Sequence, residues 1–561
     1  MKRTLVITAL AALVLILGPV MNAGACTNFL VTKGASADGS TFISYSADSH
    51  VLYGELYFRP AADYPEGAMQ DIIEWDTGKP LGKIPQIRHT YSVVGNMNEH
   101  QVSIGETTYG GREELFHQKG AIMDYGSLIY IGLQRSASAR EAINVIADLM
   151  GKYGYASEGE SFSIMDKNEV WIMEIIGKGE GEKGAVWVAL RIPDGYICGH
   201  ANQARITTFP LNDPENCLYA KDVITFARAK GWYSGPDNEF SFSDTYNPVT
   251  FSGARACEAR VWAFFNRANK DMGQYVDYAM GKIKTGKHGY AINRMPLWIK
   301  PDKKISIHDM MEFMRDHYEG TPMDMNNDIG GGPFQCPYRW RPMTWEVDSV
   351  AYVHERATST QQTGFVFVSQ GRSWMPDAIG GIHWFGVDDT YTTVFSPMYS
   401  SMTKVPETFA VGNGNMLEYS PTSAFWTFTF VSNWAYTKYN YMIKDIQKVQ
   451  RELELKYIDN MTTVDKEALA LYNSDPKKAV AYLTDYSVKA GNATVAAWKK
   501  LGEYLLVKYH DGNIKKEKDG KFEDNGYGVA VMPSQPGYPE WWLREIVREH
   551  GEQIKDLTPK N

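Results

Sequence analysis

Apolar and polar residues alternate with a period of two in several short runs, the pattern of strands that bury one face. The first run is Cys26-Thr-Asn-Phe-Leu-Val-Thr, followed by turn-forming residues from Gly34 to Ser40 and a second strand from Thr41 to Tyr45. Phe162 to Met165 and Val170 to Ile175 flank the turn residues Asp166-Lys167-Asn168, and Ala185 to Ile192 continues as a third strand. A further hairpin is predicted from Gly381 to Val387, Asp388-Asp389, and Tyr391 to Phe395. Between these runs the period becomes helical. Ser138, with Glu141 three residues on, forms a capping box ahead of Ile143, Ile146, Ala147 and Met150. A second helix is expected from Cys257 to Asn269, and a third from Ser306, with Asp309 three residues on and Met310, Phe313 and Met314 behind it. Beyond Pro421 long helical patterns take over, with Tyr439, Met442, Ile446, Val449 and Leu453 at alternating steps of three and four. Together these elements predict an α+β protein of stacked sheets covered by helices, with a helical C-terminal region.

The residues ahead of the first strand have the three parts of an export signal. Lys2 and Arg3 are the positive end, Thr4 to Leu17 the apolar stretch, and Ala23-Gly24-Ala25 the small-residue site, after Gly18-Pro19. The apolar stretch is too short for a membrane span, and no other run approaches its length. Cleavage after Ala25 would make Cys26 the first residue of a soluble mature chain, exported to the periplasm or the cell exterior and not stably inserted in a membrane. A bacterial lipoprotein signal also ends before a cysteine, which is then acylated on sulfur and nitrogen; it usually has a leucine-like residue where this chain has Ala23. The organisation expected is a signal at 1–25, a catalytic domain at 26–420 and a helical region at 421–561.

Composition narrows the choice of partner. Lys+Arg 57 against Asp+Glu 66 gives a net charge of −9 with no dense basic run, which argues against a nucleic-acid partner. Apart from Cys26, the four cysteines Cys198, Cys217, Cys257 and Cys336 form two disulfides in one of three connectivities or stay as buried thiols; both readings stand. Asp324-Met-Asn326-Asn-Asp328 alternates oxygen ligands as calcium loops do, but lacks the glycine and distal glutamate of an EF-hand. No metal and no cofactor is assigned, and homo-oligomer formation is left open.

A cysteine that carries its own α-amine is nucleophile and base in one residue. The thiol attacks only as thiolate, and the amine, with a reference pKa of about 7.7–8, is partly neutral near pH 7 and able to take its proton. The run from Cys26 to Thr41 resembles the mature start of the C69 dipeptidases, within the N-terminal-nucleophile hydrolases. The likeness continues through Gly95-Asn-Met-Asn-Glu-His, Gly105-Glu-Thr-Thr, Lys152-Tyr-Gly-Tyr, Asp166 to Glu174, Arg191-Ile-Pro-Asp, Ala201-Asn-Gln, His317-Tyr-Glu-Gly-Thr-Pro and Ser369-Gln-Gly-Arg-Ser-Trp-Met-Pro.

That resemblance implies a four-layer αββα sandwich in which Cys26 attacks a peptide carbonyl and water hydrolyses the acyl-enzyme. It implies that Asp48 orients or charges the α-amine and that Asn202 supplies an oxyanion donor. A second donor would come from the backbone of Glu106, Thr107 or Thr108. The family usually has arginine three residues before the acid, whereas this chain has Tyr45, which offers a hydrogen bond but no permanent charge. A small peptide substrate needs an acid for its amino end, with Glu106 and Glu174 the candidates, and a cation for its carboxylate, with Arg205, Arg356 and Arg372 the candidates. An amide hydrolase of the penicillin V acylase or bile-salt hydrolase type, with the same cysteine and an apolar acyl pocket, is the alternative enzyme. A non-catalytic lipoprotein is the alternative without chemistry.

Overall fold

The computed structural model describes residues 26–116 and 118–558, so the export signal assigned to 1–25 lies outside the described residues. Within them, no helix is long and apolar enough to cross a membrane. The fold is mixed α/β, with several antiparallel sheets and a helical C-terminal region.

Two sheets carry it. The first has seven strands, side by side in the order Trp298–Ile299, Ile197–His200, Asn28–Val31, Thr41–Asp48, Thr363–Gly371, Ile382–Val387 and Ser396–Tyr399. The second has eight, in the order Cys217–Tyr219, Ala185–Arg191, Val170–Gly177, Gly159–Met165, Ser103–Gly110, Met97–Asn98, Val93–Val94 and Phe58–Arg59. Strand Thr41–Asp48 of the first sheet packs against Ser103–Gly110, Gly159–Met165 and Val170–Gly177 of the second, so the sheets meet face to face.

Side-chain alternation gives the second sheet two buried faces. Ile104, Phe162, Ile164 and Met173 face helices Tyr125–Arg135 and Ala139–Tyr153, where they pack with Leu128, Ile131, Ile143 and Ile146. Between the sheets, hydrogen-bonded polar groups sit among apolar side chains such as Leu30, Ile43, Phe367, Ile172 and Val188. Ser103 donates to Ser369, 2.8 Å away, which pairs with His383, while His200 bridges Thr107 at 2.8 Å and Ser163 at 2.7 Å. Burial lowers the pKa of His200 to about 3, so it bridges as a neutral ring. On the outer side of the first sheet Phe29 stacks on Phe264 of helix Ala259–Ala268, ring centroids 4.2 Å apart.

Most of the expected elements are present, and the departures have local causes. Ser138 caps its helix through the Glu141 amide, but the Glu141 carboxylate reaches Ala137 N rather than closing the box on Ser138. The box is complete at Ser306 and Asp309. The helix expected from Cys257 runs over Ala259–Ala268, after a π-helical stretch at Gly253–Glu258. The hairpin expected at Tyr391 to Phe395 forms instead between Ile382–Val387 and Ser396–Tyr399. Residues 391–395 spend their backbone groups on side chains: Gln450 donates to Tyr391 O and Thr393 O, Tyr391 N donates to Ser359 and Asp389, and Phe395 N to Glu454. All five cysteines are free thiols. Asp324 bonds amides of its own loop and Asp328 pairs with Arg339.

Helices Ala424–Ala435, Tyr439–Ser474 and Pro476–Lys508 dock on the far end of the first sheet, where Tyr399 N donates to Ser487 and Ser396 donates to Thr494. Two buried ion pairs fasten them. Arg315 meets Glu454 at 2.5 Å with side-chain exposures of 3% and 1%, and Arg372 forks onto Asp465. Removing Arg315 would leave the Glu454 carboxylate buried without a cation, whereas removing Glu454 leaves Arg315 with Glu312 at 2.7 Å. Arg315→Met should cost about 3–5 kcal/mol in denaturant unfolding, adding Glu454→Leu should recover most of it, and a single-variant loss below about 1 kcal/mol would refute this role.

Candidate active site

Cys26 sits just ahead of strand Asn28–Val31 and is 7% exposed. Thr27 bridges Ser46, and the same register pairs Leu30 with Ile43 and Val31 with Phe42. Continued by one residue, it sets Cys26 opposite Ala47, next to Asp48. Alternation then turns Cys26, Asn28 and Tyr45 toward the second sheet. That sheet comes very close at Gly105, where a Cβ would lie 2.3 Å from Asn28 Oδ1 and 3.1 Å from Tyr45 Cβ. Any larger residue would hold strand Ser103–Gly110 away from the cysteine.

The approach brings Glu106 to the thiol. Cys26 Sγ is 3.5 Å from Glu106 Oε1 and 3.6 Å from the Tyr45 hydroxyl, which itself donates to Glu106 Oε1. Burial pushes the thiol well above its ordinary pKa, and the nearby carboxylates of Glu106 and Asp48 push it further; the Asp48 amide and the Tyr45 hydroxyl oppose them. Tyr45 therefore occupies the space next to sulfur without providing the charge an arginine would.

Asp48 is fully buried. It accepts from Arg356 at 2.7 Å, Thr363 at 2.6 Å and Ser46 at 3.2 Å, and burial raises its pKa while Arg356 pulls it back. Asn202 follows strand Ile197–His200 in a left-handed turn with φ 60°, a conformation asparagine tolerates better than most residues. Its amide donates to Thr108 O at 2.6 Å, and Asn28 donates to Glu106 O at 2.6 Å. Both acceptors lie on the edge of strand Ser103–Gly110 where Ile104 N bonds Asn96 O, beyond the short strand Met97–Asn98.

Arg260, which sequence reasoning missed, ties these parts together. One guanidinium nitrogen donates to Cys26 O at 2.6 Å and Thr27 Oγ1 at 2.8 Å, and the other to Ala201 O at 3.1 Å and Asn202 Oδ1 at 2.8 Å. Its only signal in the sequence is a charge inside the apolar run from Ala259 to Phe265. Glu160 was missed as well. It lies on the strand beside Glu106, fully buried, with its Oε1 accepting from Thr108 at 2.7 Å.

Other candidates are engaged elsewhere. Arg205 is 3% exposed and saturated by Glu258 at 2.8 Å and by the carbonyls of Gly199, Pro296 and Leu297. Arg372 is committed to Asp465 and to Ile379 O and Gly380 O. Neither presents a free donor to a substrate carboxylate, because folding already consumes the guanidinium. Glu174 accepts from Arg205 N at 2.5 Å and Ile206 N at 3.1 Å. Thr107 spends its hydroxyl on His200. Cys26, Tyr45, Glu106, Asp48 and Asn202 are thus brought together at one edge of the two sheets, while Arg205, Arg372 and the carboxylate of Glu174 serve the scaffold.

The chain is a hydrolase of the peptidase class, and it belongs to peptidase family C69, whose model matches residues 25–452. It is 25% identical over 411 residues to a protein named probable dipeptidase from Latilactobacillus sakei, covering 69% of this chain and 76% of the relative. A probable dipeptidase from Salmonella dublin is 25% identical over 396 residues, 67% of this chain and 81% of that one. Probable dipeptidase B from Streptococcus pyogenes serotype M1 is 22% identical over 511 residues, 88% and 94% of the two chains.

Because lysine cannot span the acceptors of Arg260, Arg260→Lys should lower kcat/KM for peptide hydrolysis about a hundredfold while circular dichroism stays native. A change under about threefold would show that the fork is not needed.

Proposed function

We propose that this chain is an exported dipeptidase whose mature N-terminal residue is Cys26, acting through an acyl-enzyme on a four-layer αββα scaffold of the N-terminal-nucleophile type. The observation that carries the reading is the Arg260 guanidinium, which holds the Cys26 carbonyl and the Asn202 side chain in one grip. Such a grip suits a nucleophile and an oxyanion donor that must keep their spacing through the reaction.

In the first half-reaction the thiol proton passes to the Cys26 α-amine and the thiolate attacks the peptide carbonyl carbon. The oxyanion is received by the Asn202 amide and by the backbone N–H groups on the open edge of strand Ser103–Gly110. The C–N bond breaks, the leaving amine takes the proton from the α-ammonium, and an aminoacyl thioester remains. Water, deprotonated by the same α-amine, then releases the second product and restores the thiol. Asp48, anchored by Arg356 and Thr363, lies beside the strand end where that amine emerges and supplies negative charge to its protonated form. The dipeptidase names of the relatives and the family membership support the substrate class.

Cys26→Ala should abolish turnover with an unchanged fold. A precursor that keeps residues ahead of Cys26 should also be inactive until cut, because an acylated nitrogen is no base. Intact mass gives the mature start, and a lipid adduct on Cys26 or full activity of the uncut form would overturn the mechanism. A panel of dipeptides beside penicillin V and conjugated bile salts tests the substrate class, and cleavage of only the latter two would reassign it.

A further inference from the structure

Among the described residues, two buried glutamates beside the nucleophile lack a cation. Glu106 and Glu160 lie on adjacent antiparallel strands whose register pairs Glu106 with Phe162 and Thr108 with Glu160, so the two are diagonal neighbours on one face. They are 2% and 0% exposed. One oxygen of each is satisfied: Glu106 Oε1 by the Tyr45 hydroxyl and the Cys26 thiol, Glu160 Oε1 by Thr108. The other oxygen of each, Oε2, is buried, and the two carboxyls hydrogen-bond each other when one of them carries the proton; among the described residues neither Oε2 has another partner. The titratable groups facing the pair are Tyr45, Cys26, Asp76 and Tyr125, none of them cationic. Burial pushes both carboxyls up, and their mutual repulsion leaves them a proton to share.

A buried carboxyl pair held together by one proton keeps a negative charge with no cation beside it, and a group that fits it must bring N–H donors and positive charge. We propose that Glu106 and Glu160 together receive the α-ammonium group of the substrate, and that this ammonium supplies the positive charge beside Cys26 Sγ that Tyr45 lacks. The inference rests on the dipeptidase reading above.

The covalent geometry of an aminoacyl group sets the distances. The α-nitrogen and the carbonyl carbon share one Cα, which separates them by about 2.5 Å. An attacking sulfur stands about 3–3.5 Å from that carbon. A carboxylate oxygen 3.5 Å from Sγ is therefore within hydrogen-bond reach of the α-ammonium of the residue under attack. The other acids near the site are already filled: Asp48 by Arg356, Thr363 and Ser46, and Glu174 by the Arg205 and Ile206 amides. The charged groups facing the thiol are Glu106, Asp48 and, through the Cys26 carbonyl, Arg260, with the α-amine of the mature chain neutral while it acts as base; the two acids hold the thiol neutral, and a bound ammonium offsets them. The free enzyme would keep its sulfur protonated and ionise it when a substrate with a free amino end arrives.

Two amides that differ only in the α-amine test this. By calorimetry the Cys26→Ala protein should bind alaninamide at least about thirtyfold tighter than propanamide, and adding Glu106→Gln or Glu160→Gln should bring the ratio below about threefold. Glu160→Gln keeps the falsification clean, since Glu160 does not touch Cys26. Equal affinity for the two amides, or a ratio that neither glutamine moves, overturns the proposal. In the mature enzyme, with Cys26→Ala as blank, saturating alaninamide should move the ultraviolet thiolate titration to lower pH and propanamide should not; no shift overturns the charge-supplying role. Neither measurement reads hydrolysis, so a chain that cleaves no dipeptide fails the dipeptidase reading while the amide binding still decides this one.

Discussion

A nucleophile at the start of a chain, as proposed for Cys26, is tethered covalently on one side only, and chain ends fray unless something pins them. The pairing of Thr27 with Ser46 does the pinning, with Arg260 gripping the Cys26 carbonyl from the helix side. The rest of the site follows from that anchor. The register carries Asp48 to the same strand end, alternation turns the sulfur toward the second sheet, and the bare Cα of Gly105 lets that sheet close to within reach. Because Arg260 also holds Asn202, the two halves of the chemistry are referenced to a single rigid group rather than to two loops.

The inter-sheet layer mixes two kinds of contact. Sandwich cores are ordinarily filled by apolar side chains from both inner faces, and Leu30, Ile43, Phe367, Ile172 and Val188 fill this one in that way. Among them Ser103 with Ser369 and His383, and Thr107 and Ser163 with His200, form hydrogen-bonded groups across the two sheets. Directional bonds fix one sheet on the other where non-directional apolar packing does not, and a reaction between groups on opposing strands depends on that. Glu106 and Glu160 alternate onto the other side of the second sheet, with Ile104 and Phe162, outside this network.

Much of this was legible in the sequence. Period-two alternation located the strands around Cys26, Tyr45 and Glu174, the capping residues Ser138 and Ser306 located two helices, and the ordered motifs brought Cys26, Asp48 and Asn202 forward. What the sequence hid was hidden for physical reasons. Arg205 and Arg372 are indistinguishable in sequence from substrate-binding arginines, because whether a guanidinium is free depends on Glu258 and Asp465, which lie 53 and 93 residues away. Arg260 reads in sequence as one charge in a helix, since four of its five acceptors come from two distant turns of chain. The strand expected at Tyr391 to Phe395 has a sound β pattern, but Gln450 and Glu454 take its hydrogen bonds from a helix that begins at Tyr439.

The two ion pairs that fasten the C-terminal helices bear on how such a chain can diverge. The family match ends at residue 452, inside helix Tyr439–Ser474, while Glu454 and Asp465 lie just past it. Docking joins these two pairs to a buried apolar stripe that includes Met442, Ile446, Leu483, Val495 and Trp498. Apolar contacts are non-directional and would let a helix slide or turn, so the two acids opposite Arg315 and Arg372 fix its seat, and a changed chain keeps that seat as long as it keeps them.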